Sequence, residues 1–182
     1  MSSSRFLSLV SSLCIFMVGC AGSSRPQDDA TLPKLMVERL SWMDEVVRVK
    51  QARSLPVTDA KREEELLVMM EREGQKAGLP AQAVREFFAG QITAAKFLQT
   101  EWLKKYPQGD PTLVGQPLPD LSVTVRPALD RLGKSMLTAL AVSRQKQDSR
   151  TMMAAAKTEL TEAGYSKQVI AAALEGLEAG LK

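Results

Sequence analysis

The chain has 182 residues, 45% hydrophobic and 25% charged, with a formal charge of +3, enough for one moderate domain or two small helical halves sharing a core. That charge is too small and too evenly spread to point to a nucleic-acid partner. The chain contains no histidine, which removes the commonest general base and the commonest metal ligand, and neither a zinc-type cysteine spacing nor a glycine-rich phosphate loop is present.

The N-terminus reads as a targeting segment. Arg5 supplies a positive start and Phe6 to Val18 form an apolar run of signal-peptide length, too short to span a bilayer comfortably. The stretch Met17-Val18-Gly19-Cys20-Ala21 resembles a bacterial lipoprotein box, with Cys20 as the lipidated residue. Cleavage after Ala21 is the alternative, because Gly19 and Ala21 also make a small-x-small site. Cysteine arithmetic favours lipidation. Cys14 lies inside the signal, so Cys20 would have no disulfide partner in the mature chain. Residues 1–19 are therefore expected to be a signal peptide and residues 20–30, polar with Pro26, a flexible tether. Membrane contact is expected only through that anchor.

The rest reads as helices. The first runs from about Thr31–Pro33 to Ala52, with Met36, Leu40, Met43 and Val47 on one face. Thr58 is a cap candidate for the second, from Asp59 to about Lys76, which Gly78 stops. Pro80 opens the third, to about Lys105. Residues 106–121 hold four prolines and two glycines and form a linker loop. A fourth helix starts near Thr124 with Pro127 in its first turn and runs to about Gln145. A fifth covers about Thr151–Ala163, ended by Gly164, and a sixth follows a Ser166 cap to about Ala179. The expectation is an all-α protein of six helices, in two three-helix halves, 31–105 and 122–182, sharing one core.

Charge inside the apolar stripes is the informative feature. At ~100° per residue, Arg39 and Lys50 differ by only about 20° around the first helix and share the face of its core residues. An unpartnered cation is costly to bury. On the second helix Arg62 leads the face of Leu66, Met69 and Met70, with Asp59 and Glu63 one turn apart beside it. Ala95 and Gln99 share a face of the third, which Gly90, Ala94 and Ala95 keep slim. Arg126 falls in the first turn of the fourth, where a cation opposes the helix dipole but suits a site that receives an anion. Taken singly, each has a plainer reading. Arg39 with Glu38, or Lys50 with Glu45, could be surface pairs, and Asp59, Arg62 and Glu63 a charged first turn.

Together, the segments "ERLSWMDEVVRVKQARSLPVTDAKREEELL", "FFAGQITAAKFLQTEW" and "LSVTVRPALDRL" resemble the periplasmic, gamma-class all-helical chorismate mutases over roughly residues 32–132. The resemblance implies the chorismate mutase type II fold, a homodimer, no cofactor and no metal. It implies that chorismate, a dianion, is rearranged to prephenate, a step of the phenylalanine and tyrosine branch. Arg39, Arg62 and Arg126 would grip carboxylates, and Lys50 would reach a carboxylate and the ether oxygen of the breaking bond. Gln99 would donate to that oxygen, while Asp59 and Glu63 would stand near the substrate hydroxyl. Relatives often carry Ser or Thr where this chain has Ala95, so one hydroxyl contact is missing. The rival readings are a non-catalytic helical lipoprotein that binds an anionic metabolite and a purely structural envelope protein.

Overall fold

The computed structural model describes residues 31–182 except 112, 114 and 147. The expected signal peptide, Cys20 and the tether lie outside the described residues.

The first expected helix is two, α1 (Leu32–Ser41) and α2 (Met43–Ala52). Trp42 between them keeps helical dihedrals, φ −68° and ψ −11°, so the pair forms one rod with a small break. α3 (Ala60–Lys76) is capped by Asp59, not Thr58: the Asp59 carboxylate accepts from the Arg62 N–H at 3.2 Å. That carboxylate oxygen satisfies an otherwise orphaned donor of the first turn. Gly78, at φ +76°, ends α3. There the Leu79 N–H reaches Gly74 O at 2.9 Å and the Gly78 N–H reaches Gln75 O at 3.0 Å, a Schellman closure that needs a left-handed residue. Gly164, at φ +80°, closes the fifth rod in the same way.

α4 (Ala81–Lys105) is the longest helix, at 25 residues. The described residues of 106–120 then run as a strap, pinned where Gln51 Nε2 donates to Tyr106 O at 2.6 Å and Arg48 Nη2 donates to Pro117 O at 3.0 Å. The fourth expected helix begins earlier than Thr124, with a π-helical turn at Leu121–Val125 that leads into α5 (Arg126–Lys146). Asp120 caps that turn by accepting from the Ser122 and Val123 N–H groups. α6 (Ser149–Glu162) starts under an Asp148 cap, two residues before the expected Thr151, and α7 (Lys167–Leu181) follows Ser166.

These six rods share one core, in which Met36, Leu40, Met70, Phe87, Phe88, Met136, Leu140, Leu160 and Leu177 are all fully buried. Phe87 and Phe88 meet edge to face at 5.0 Å, a favoured arrangement for aromatic quadrupoles. α4 lies closest to α7 because both are slim where they cross. A Cβ added to Gly90 would stand 2.4 Å from the Gly176 Cα, so only glycine permits that approach. The central α4 then faces α3 and α2 on its other sides, and the cavity described next opens between them and α5.

Candidate active site

All seven candidate site residues line one cavity, whose empty space is about 830 Å³ with the open mouth included. The α1–α2 rod contributes Arg39 and Lys50; Asp59, Arg62 and Glu63 come from the cap and first turn of α3. Gln99 and Ala95 come from α4, and Arg126 from α5. The walls between them are apolar, with Val46, Leu66, Ile92, Leu121, Val125 and Leu129 among the lining.

The charged groups fall into two sets. Arg62 Nη2 pairs with Asp130 Oδ1 at 2.9 Å, and Lys96 Nζ pairs with Glu63 Oε2 at 3.0 Å. Asp59 and Glu63 also serve the helix start, since Glu63 Oε1 accepts the Asp59 N–H at 3.1 Å. The other set lacks carboxylate partners among the described residues. Arg39 is only 5% exposed, and its Nη1 is buried without a hydrogen-bond partner. Burial pushes its pKa down to about 10, against a smaller opposing pull from Asp130. Lys50 donates to the Val57 carbonyl at 2.5 Å, which leaves two of its three N–H groups for the cavity. Its pKa is lowered chiefly by burial; Asp59 and Glu63 pull it up, and Arg126 and Lys96 push it down. Among the described residues Arg126 makes no ion pair. Five cations and three carboxylates line the space, a surplus of two positive charges.

Gln99 is 4% exposed and its amide is barely committed. Nε2 makes a 3.5 Å contact to the Met43 sulfur, a weak acceptor, and Oε1 is buried without a partner. A buried amide left this open costs free energy unless a ligand completes it.

Two expectations need correction. Arg126 does not stand at the positive end of its helix, because the π-helical turn precedes it and Asp120 caps that end; the π turn moves the free N–H groups one turn away. Glu45 pairs with Arg48 at 3.4 Å, so it does not serve as a surface partner for Lys50. Sequence reasoning missed Lys96 and Asp130, both in the lining. Asp130 follows Arg126 by four residues and thus shares its helical face. Nothing comparable flagged Lys96.

Residues 27–100 match the family described as chorismate mutase type II. The match includes Arg39, Lys50, Asp59, Arg62, Glu63 and Gln99 and stops short of Arg126, whereas the resemblance read from sequence reached about residue 132. A secreted chorismate mutase from Yersinia pestis is 30% identical over 95 residues, which is 50% of each chain; the match thus spans about half of that relative's length. Among solved structures, a chorismate mutase from Burkholderia phymatum aligns with TM-score 0.69 at 26% identity, over 82% of this chain and 93% of that one. One from Burkholderia thailandensis gives 0.66 at 29%, over 82% and 94%. The secreted chorismate mutase from Yersinia pestis gives 0.61 at 24%, over 82% and 94%, a likeness of fold. The all-helical fold of these proteins is therefore the fold of this chain.

Proposed function

We propose that the chain is an exported chorismate mutase of the gamma class, which rearranges chorismate to prephenate in the cavity described above. The observation that carries this reading is the surplus of two positive charges around a mostly apolar space, with Arg39, Lys50 and Arg126 in no ion pair among the described residues. That inventory suits a small dicarboxylate. It also suits a reaction in which one C–O bond breaks and one C–C bond forms within a single molecule, with no nucleophile and no proton to move.

In this reading Arg39, Lys50 and Arg126 hold the two carboxylates and so select the folded conformer in which the two reacting carbons approach. That is a positioning effect. As the ether C–O bond lengthens, negative charge builds on its oxygen. Lys50 and the Gln99 amide are fixed donors there, in a site shielded from water where such donors act strongly. Arg62, held by Asp130, contributes to the carboxylate clamp, and Asp59 and Glu63 face the substrate hydroxyl. Arg126 belongs to the same chain as the rest, so the helices of residues 31–105 and 122–182 complete one pocket within a subunit. A homodimer, a cleaved signal peptide and an outer-membrane lipid anchor on Cys20 complete the reading. The secreted relative and the sequence of residues 1–30 support export.

A spectrophotometric assay of chorismate disappearance and prephenate formation tests it. Turnover by the purified protein, lost in Lys50→Met, supports the enzyme. Thermal stabilisation by chorismate without turnover would indicate a binder, and neither effect would leave a structural envelope protein.

A further inference from the structure

We infer that Lys96 is a positioning residue of this cavity: it cancels the charge of Glu63 and fixes that carboxylate as an acceptor, preserving the positive surplus that a dicarboxylate requires. This rests on the reading just proposed and deepens it. Lys96 lies on α4 beside Ala95, and its Nζ stands 3.0 Å from Glu63 Oε2. The other Glu63 oxygen receives the Asp59 N–H. The carboxylate is therefore held at both ends, by α4 and by the start of α3. Both side chains are partly shielded, at 33% and 23% exposure, and both line the cavity.

The reason such a tether matters is electrostatic. An uncompensated carboxylate on the wall would repel a doubly negative guest, and the weakened dielectric of a closed site enlarges that repulsion. With Lys96 removed, four cations would face three carboxylates and the surplus would fall from two to one. Asp59 and Glu63 raise the Lys50 pKa, while Arg126 and Lys96 lower it. Lys50 thus reports on the pair as well.

The test uses the full chain with Lys96→Met, Lys96→Arg, Glu63→Gln and the Met/Gln double variant. KM and kcat for chorismate are measured across alkaline pH, and Kd by calorimetry. Lys96→Met is expected to raise KM roughly 10- to 100-fold, the scale of one extra like charge at cavity distances, with a smaller change in kcat. Adding Glu63→Gln removes the stranded charge and should bring KM back to near that of Glu63→Gln alone. Lys96→Arg should recover most of the loss. In Lys96→Met the alkaline limb of kcat/KM should also move to higher pH, because Lys50 loses a cationic neighbour and keeps an unshared anionic one. A mere packing defect would do none of this: the single and double variants would share one raised KM, and the limb would stay in place. That result overturns the inference while leaving the enzyme reading intact. If the wild type binds chorismate without turning it over, the same comparison is made on Kd. If it neither binds nor turns over, both readings fall.

Discussion

Replacing Arg39 by methionine should make the protein more stable and nearly inactive. The guanidinium is almost fully buried, and burial pushes its pKa from the usual guanidinium range down to about 10, with Asp130 opposing that fall. At ~1.36 kcal/mol per pH unit, that difference corresponds to about 3 kcal/mol of unfavourable burial of the charge at neutral pH. Methionine has a similar volume and no charge, and such volume-conserving changes cost less than about 1.5 kcal/mol. The net gain is about 1–3 kcal/mol, or roughly 3–10 °C in Tm for a chain of this size. The sign with pH follows from linkage. Between about pH 10 and the unfolded value the unfolded chain binds more protons, so the wild type gains stability as pH rises and the advantage of the variant shrinks. Binding should move the other way. Truncating one side of a buried charge pair costs about 2–5 kcal/mol, so kcat/KM for chorismate should fall between about 30-fold and several-thousand-fold. Thermal melting with and without chorismate, beside steady-state kinetics, reads both quantities. A lower Tm with intact kinetics would show that Arg39 is held for structure, and the reasoning would be wrong.

Gln99→Glu should make turnover pH-dependent. An ionised carboxylate cannot donate to the ether oxygen, so rate should rise on acidification from pH 8 to pH 5, where the wild type stays nearly flat; a flat profile in the variant would remove Gln99 from the donor role. Ala95→Ser adds a hydroxyl to a cavity wall and should raise kcat/KM severalfold with no loss of Tm, whereas unchanged kinetics would mean that no substrate oxygen lies near this position. Gly90→Ala places a Cβ 2.4 Å from the Gly176 backbone and should cost ~1–3 kcal/mol through overpacking, seen as a Tm lower by several degrees. An unchanged Tm would show that α4 and α7 can separate freely.

Much of this was legible because it repeats at helical spacing. Arg39 and Lys50, eleven residues apart, both reach the cavity even though Trp42 breaks the rod between them, since Trp42 keeps helical dihedrals and preserves the phase. That break has no sequence signal for the same reason. Thr58 and Asp59 are both good caps in adjacent positions, and only the path of the chain decides between them. The π turn at Leu121–Val125 depends on how the strap enters α5. The pairs Lys96–Glu63 and Arg62–Asp130 join different helices, and charge partners set by tertiary packing leave no local periodicity. Gly90 signalled a close approach, and its partner proved to be Gly176 on α7.

The central claim is that cations from separate helices close on one doubly negative guest. A crystal structure with prephenate bound tests it most directly. The account predicts both carboxylates in the cavity, with Arg39, Lys50 and Arg126 nitrogens at ~2.7–2.9 Å from their oxygens. Prephenate elsewhere on the surface, or seated in the cavity with those three side chains turned away, would contradict it.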